Sequence, residues 1–75
     1  MPYEDQLEKT ILSVVEKADQ PLETKEIEWK VKNKGATRIK VIYRLNNLRG
    51  KGDIKGKFVG PGKGVWIWWK KNAFV

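Results

Sequence analysis

The chain has 75 residues and a net charge of +7, and it contains neither cysteine nor histidine. These absences exclude disulfides and thiolate ligands, and they remove the commonest general base and metal ligand. With no phosphate-binding loop and no clustered carboxylates, the composition argues against an enzyme, a metal site or a bound cofactor. No apolar run approaches about 20 residues and no signal-like segment is present, which predicts one small intracellular domain without a membrane span.

Charge is divided unequally along the sequence. Residues 1–28 hold eight acidic and three basic residues, whereas residues 29–75 hold thirteen basic residues and one acidic residue, Asp53. The two parts carry −5 and +12, which together give the net charge of +7. A strongly basic half favours a polyanionic partner, with nucleic acid ahead of an anionic membrane surface. A lysine-rich proteome is the alternative, but it would raise glutamate as well, and glutamate stops at position 28.

The first predicted element is a helix over residues 4–18. Its apolar side chains recur with the 3.6-residue period of a buried helical face: Leu7, Ile11, Val14, Val15 and Ala18. The segment 19–21 ends the helix, because Pro21 disfavours helical backbone at the residue before it. Leu22 and Glu23 then form a short extended link.

The second predicted helix covers residues 25–33, with Thr24 as its N-cap. Ile27 and Val31 lie four residues apart on its buried side, and we expect Trp29 at the edge of that side, half-buried. Gly35 lies in the turn of residues 34–36 and supplies the positive φ that ends a helix. A helix, a short turn that contains glycine and a second helix form the helix-turn-helix pattern.

The third predicted helix, residues 37–49, begins at the N-cap Thr37 and has two unlike faces. Its apolar stripe consists of Val41, Leu45 and Leu48. The opposite face carries Lys40, Tyr43, Asn46 and Asn47, with Ile39 and Arg44 at its edges. Cations, amides and a phenol suit phosphates and base edges. For this helix alone, a lysine-rich solvated face is an equal alternative.

Residues 54–59 and 65–70 are predicted to form a hairpin, joined by the glycine- and proline-rich turn 60–64. In the first strand, Ile54 and Phe58 alternate with Lys55 and Lys57. In the second strand, one face carries Val65, Ile67 and Trp69, and the other carries Trp66 and Trp68. We expect one set to cover the core and the other to be partly exposed. Residues 71–75 form a tail, in which Phe74 and Val75 fold back or join a dimer contact.

This order of elements resembles the winged helix-turn-helix DNA-binding domains. The segment ILSVVEKADQPLETKEIEWKVK, residues 11–32, is similar to the first helix, link and second helix of small winged-helix regulators. The segment VIYRLNNLRGKGDIK, residues 41–55, is similar to the end of their recognition helix running into the wing. The resemblance covers residues 5–70 and implies an α+β fold, in which three helices are followed by a two-stranded β-hairpin wing.

The resemblance implies double-stranded DNA binding, with the third helix in the major groove. The residues expected to contact DNA are Thr37, Arg38, Lys40, Tyr43, Arg44, Asn46 and Asn47 on this helix, Lys30, Lys32 and Lys34 beside it, and Lys55, Lys57 and Lys63 on the wing. Lysines outnumber arginines thirteen to three, which favours affinity for the DNA phosphate backbone with modest sequence specificity. The implied protein is a transcriptional regulator or a DNA-architectural accessory factor, in a cytoplasm and associated with the nucleoid or within a host cell.

Two alternatives stay open from the sequence. The first is a winged helix that serves as a protein-interaction module of a transcription or replication assembly, with residues 65–70 and the tail as its contact surface. It predicts that substitution of Trp66 or Trp68 matters more than substitution of Lys40 or Arg44. The second is binding of single-stranded nucleic acid or RNA, with exposed tryptophans stacked on bases. A homodimer is a further hypothesis, because the first helix and the tryptophan-rich strand offer apolar surface.

Overall fold

The computed structural model describes residues 5–72, which form three α-helices and a three-stranded antiparallel sheet. The helices are α1, Gln6–Lys17; α2, Thr24–Lys30; and α3, Arg38–Gly50. The strands are β1, Leu22–Glu23; β2, Ile54–Val59; and β3, Val65–Lys70. The fold class is therefore α+β, as expected. Predictions for residue 4 and for the tail residues Phe74 and Val75 lie outside the described residues.

A single core joins the helices to one face of the sheet. Its buried apolar side chains come from all six elements and from the residue after α2: Ile11, Val15, Leu22, Ile27, Val31, Val41, Leu45, Leu48, Ile54 and Trp68. The predicted buried positions of α2 and α3 are confirmed, and those of α1 divide between Ile11 and Val15 in the core and partly buried neighbours packed against it. The 3.6-residue period therefore located the inner face of each helix.

The sheet has one strand more than the sequence predicted. Leu22 and Glu23 form β1, which pairs antiparallel with β3 so that Leu22 lies opposite Trp68 and Glu23 opposite Ile67. The strand order is β1–β3–β2, which places β3 in the centre. The predicted extended conformation of these two residues is confirmed, but their pairing with β3 was not predicted, because two residues are too few to show a strand period.

The second helix is shorter than predicted and has a different N-cap. α2 ends at Lys30, and a separate 3-10 helix, Lys32–Lys34, leads to Gly35, whose φ of 73° ends it. Glu23 is the N-cap and forms a capping box with Glu26, whose carboxylate accepts the Glu23 N–H at 2.7 Å. Thr24, the predicted cap, is the first residue of the helix, and its hydroxyl accepts the indole N–H of Trp68 at 2.9 Å.

The hairpin turns its Trp66 and Trp68 face towards the core. Trp68 is 2% exposed, and Trp66 stacks on it with ring centroids 5.3 Å apart. Gly56 lies opposite Trp68 in the β2–β3 register, and a Cβ added there would stand 2.5 Å from a carbon of the indole ring. The absence of a side chain at position 56 therefore lets the large ring lie flat across the neighbouring strand.

Candidate nucleic-acid interface

The face of α3 that points away from the core carries uncharged side chains along its centre. Ile39 is 80% exposed and Tyr43 is 63% exposed. With 3.6 residues per turn, Ile39, Tyr43 and Asn47 form an i, i+4, i+8 ridge opposite the buried stripe, and Asn46 lies beside them. Ile39, which we expected at the edge of this face, belongs to its centre.

The start of α3 has the N-cap that the sequence predicted. The Thr37 hydroxyl accepts the backbone N–H of Lys40 at 3.3 Å, and the Thr37 backbone is extended, as an N-cap requires. Lys40 itself is exposed and lies at the side of the ridge. The cap fixes the direction of the first turn and hence the positions of the exposed residues that follow.

Two of the arginines expected to contact DNA form ion pairs with acidic residues of the first half of the chain. Nε of Arg38 lies 3.1 Å from a carboxylate oxygen of Glu28 on α2. Nε of Arg44 lies 3.0 Å from Oδ2 of Asp5, and its Nη1 donates to the Lys40 carbonyl at 3.2 Å. Arg44 is consequently half-buried between α1 and α3 and does not lie on the outer face of α3.

Two charged groups near α3, the Asp5 carboxyl and the Lys51 ammonium, have pKa values shifted from their ordinary values. A hydrogen bond from the backbone N–H of Glu8, together with the Arg44 guanidinium, holds the pKa of the Asp5 carboxyl below its ordinary value of 3.8. The Lys51 ammonium donates to Glu8 at 2.6 Å, and this bond raises the pKa of Lys51 above its ordinary value. Acidic residues of α1 thus neutralise one side of α3.

The other expected basic residues are exposed and form no ion pair within the described part of the chain. They are Lys30, Lys32, Lys34, Lys40, Lys55, Lys57 and Lys63. Lys32 lies over the ring of Trp29, with Nζ 3.4 Å from its centroid. Trp29 is 68% exposed, so the prediction of a half-buried residue was wrong: it points away from the buried Ile27 side of this short helix.

The structure does not bring all these lysines together. Lys55 and Lys57 lie on the outer face of β2, opposite Trp69 and Ile67 of β3, and Lys63 lies in the turn at the tip of the hairpin. Lys34 lines a small cleft with Leu7 at the beginning of α1. Lys30 lines a separate cleft with Lys17 at the end of α1. Neither cleft includes a residue of α3.

Arg49 is a candidate contact that sequence reasoning missed. Its guanidinium carbon lies 5.1 Å from the ring centroid of Trp66, and its Cδ borders Gly56. It is exposed and has no acidic partner among residues 5–72. The sequence offered one signal for a contact at Arg49, the prediction of a hairpin that follows the last turn of a basic helix. Lys70 and Lys71, at the base of the hairpin, are likewise exposed without an acidic partner in that range.

A shallow apolar groove separates α3 from the hairpin. It has a volume of about 170 Å³, and Ile42, Val65 and Trp66 supply its apolar wall while Thr24 and Arg38 border one end. Phe58 packs edge-on against Trp66, with ring centroids 6.1 Å apart, and remains 53% exposed. The outer face of β3 carries the other apolar set, of which Ile67 and Trp69 are half-exposed.

Residues 5–72 contain no group of three or more acidic, histidine or cysteine side chains placed to hold a metal ion. No helix in the same range is long and apolar enough to cross a membrane. An uncharged ridge with unpaired cations on the neighbouring hairpin and turn suits a ligand that offers both phosphates and base edges. No protein-family model matches the chain, and a comparison with curated proteins finds no significant match.

Proposed function

We propose that this protein is a winged helix-turn-helix domain that binds double-stranded DNA. In this proposal α2, the following turn and α3 form the helix-turn-helix, and β2 and β3 form the wing. α3 enters the major groove, which is wide enough to admit an α-helix. The observation that carries the proposal is the contrast between the uncharged outer ridge of α3 and the cations beside it, which have no acidic partner among residues 5–72.

The basic residues divide by position in this arrangement. Lys40 and Arg49 stand on opposite sides of the ridge, where phosphates flank a helix in the groove. Lys55, Lys57 and Lys63 bring the wing to the DNA backbone. Lys32 and Lys34 contact it from the turn before α3. A transcriptional or DNA-architectural role, in a cytoplasm and near the nucleoid or within a host cell, belongs with this proposal.

The proposal is tested by titration of the protein with a mixed-sequence duplex of about 20 base pairs and with one of its single strands, across a salt series. Each neutralised phosphate contributes about −0.9 to the slope of log K against log salt concentration. We expect tighter binding to the duplex and a steep slope. Lys40→Gln should reduce the slope by about 0.9. Lys17→Gln, the matched control, makes the same charge change at the far end of α1 and should leave the slope nearly unchanged.

Equal slopes for the two variants would contradict a defined interface, because only net charge would then matter. Absence of duplex binding at low salt would overturn the proposal and turn attention to a protein partner for the hairpin. The half-exposed Ile67 and Trp69 are the side chains that such a partner would cover.

Single-strand binding is a second candidate function, and the exposed Trp29 favours it. An indole that is 68% exposed, with the Nζ of Lys32 3.4 Å from its ring centroid, offers a stacking surface next to a cation. Preference for the single strand, with quenched tryptophan fluorescence that Trp29→Leu removes, would support this candidate over the duplex. Trp68 is excluded from such a role by its burial, so its substitution reports on folding and not on binding.

A further inference from the structure

We propose that the outer ridge of α3 recognises A·T base pairs, with Ile39 packed against thymine 5-methyl groups and Asn47 paired with adenine. The inference rests on the proposed DNA binding and deepens it. It concerns three residues one turn apart, Ile39, Tyr43 and Asn47. They span roughly 12 Å along the helix, which is comparable to three or four base-pair steps of about 3.4 Å.

Ile39 contributes almost nothing to the folded core. It is 80% exposed, and helix formation does not favour a β-branched residue at an exposed site. Tyr43 follows one turn later and is also largely exposed. Together they form an apolar strip at the centre of the face that the proposed function places in the groove. Covering this strip with another apolar surface removes it from water, which is favourable.

The major groove offers one apolar group on its unmodified base edges, the 5-methyl group of thymine. A G·C pair presents two acceptors and one donor there, and no methyl group. An isoleucine in contact with base edges therefore gains from thymine and gains nothing comparable from cytosine or guanine. The thymine methyl is the ligand chemistry that matches position 39.

The arginines that would read guanine are engaged elsewhere. Arg38 is paired with Glu28, Arg44 with Asp5, and Arg49 lies over the ring of Trp66. Guanine is read by arginine or lysine; none of the three arginines stands on the ridge with its guanidinium unengaged, and Lys40 lies at the side of the ridge. The flanking charge is thus held to the sides of the helix, where it complements phosphates.

The asparagines complete the argument for A·T pairs. Asparagine pairs bidentately with N6 and N7 of adenine. The Asn46 amide donates to the carbonyl of Ile42 at 3.1 Å, whereas the Asn47 amide makes no hydrogen bond within the described part of the chain. Asn47 is therefore the amide that is ready for a base edge. It lies one turn beyond Tyr43, on the same ridge as Ile39.

The test compares duplexes that differ by one methyl group. An A·T-rich duplex of about 20 base pairs is prepared with thymine and with uracil, which lacks the 5-methyl group and pairs identically. At a fixed salt concentration, we expect uracil to weaken wild-type binding about three- to fivefold for each methyl that Ile39 covers. Ile39→Ala should bind both duplexes equally, since the smaller side chain no longer reaches the methyl.

Two further measurements separate the inference from the proposed function. Ile39→Ala should keep the wild-type salt slope, because no charge is lost. Asn47→Ala should lower the preference for the thymine duplex over a G·C-rich duplex by roughly tenfold. Equal wild-type affinity for the thymine and uracil duplexes, with the salt slope intact, would overturn the inference and leave DNA binding standing. A thymine preference that survives in Ile39→Ala would also overturn it, because duplex shape would then explain the difference. Absence of duplex binding would overturn both.

Discussion

At the scale of the residue, the hydrogen bond between Trp68 and Thr24 joins the central strand of the sheet to the start of α2. A threonine before an apolar helical pattern normally predicts an N-cap. Here the buried indole N–H needs an acceptor, and the Thr24 hydroxyl, 2.9 Å away, supplies it. The capping role passes to Glu23 and Glu26. The partner of Thr24 lies 44 residues along the chain, so no local pattern could have identified it.

Thr24→Val should destabilise the protein by about 1–3 kcal/mol, because valine has the shape of threonine but leaves the buried indole N–H without an acceptor. The free energy of unfolding, measured by urea denaturation, checks this. Thr24→Ser is the matched control, since it keeps the hydroxyl and should lose less. If the valine variant proved as stable as the serine variant, the hydrogen bond would contribute nothing to the folded state.

At the scale of the element, α1 and α3 are joined by charge as well as by their apolar faces. Asp5 caps α1 by accepting the Glu8 N–H at 3.0 Å and also pairs with Arg44 of α3. Lys51, directly after α3, pairs with Glu8. Both contacts lie at the N-terminal end of α1, where carboxylates are also favoured by the helix dipole. A single turn of α1 therefore orients the C-terminal half of α3.

The stability of this contact should depend on pH through Asp5. Its pKa is lower in the folded protein than its ordinary value of 3.8, so the contribution to stability is present above that value and is lost as the pH falls through the folded-state pKa. Asp5→Asn keeps a capping side chain but cannot carry the charge. We expect it to be about 0.5–1 kcal/mol less stable at neutral pH and to approach the wild type at pH 2.

Urea unfolding of both proteins between pH 6 and pH 2 gives the comparison. The difference in unfolding free energy should shrink through the acid range. A difference that stayed constant with pH would show that the Asp5 charge does not contribute, and that the cap alone accounts for the effect of the substitution.

The elements differ in how far the sequence could predict them. The three helices and both hairpin strands follow from apolar periods and from the turn residues between them. Which face of β3 covers the core could not be predicted, because Val65, Ile67 and Trp69 form as apolar a set as Trp66 and Trp68. Gly56 decides between them, since its lack of a side chain leaves room for the ring of Trp68 across the hairpin. The register that places Gly56 opposite Trp68 could be predicted only once the length of the turn between the two strands was known.

The positions of the exposed residues of the candidate site could be predicted, but the ion pairs of its arginines could not. The Thr37 cap and the exposure of Tyr43, Asn46 and Asn47 followed from the helical period. The engagement of Arg38 and Arg44 did not, because their acidic partners, 10 and 39 residues away, belong to other parts of the fold. Arg49 was missed for a similar reason: its neighbour Trp66 belongs to the hairpin, and only tertiary packing brings the two side by side.

At the scale of the whole molecule, the two oppositely charged parts of the sequence are folded into each other. The acidic residues of α1 and α2 reach basic residues around α3, while the basic residues of the hairpin and the turn remain unpaired within residues 5–72. Internal neutralisation thus leaves unpaired positive charge on the hairpin, on the turn and beside the outer face of α3, where it is distributed and does not form one cluster. The net charge of +7 understates how strongly that face would attract a polyanion.

The whole molecule should form a homodimer at micromolar concentration. The half-buried Ile67 and Trp69 give the hairpin an apolar outer face that a second copy can cover in the absence of DNA. Lys55 and Lys57 lie opposite Trp69 and Ile67 on that face, so DNA bound to these lysines should compete with the dimer. Sedimentation velocity measures the mass in solution. Trp69→Lys should shift the equilibrium towards monomer. The core around Trp68 should stay folded, which urea unfolding of the variant would verify. A monomer at every concentration tested would contradict the dimer.

The contact of β3 with Thr24, at the start of α2, also has a consequence for how the protein is made. A ribosome produces Thr24 well before Trp68, its partner 44 residues later, and at 5–20 residues per second the interval is roughly 2–9 s. During this interval the apolar faces of the helices have no sheet to cover them. The domain should therefore complete its core only after the hairpin emerges, and newly made chains halted before residue 68 should be sensitive to proteases that spare the full domain.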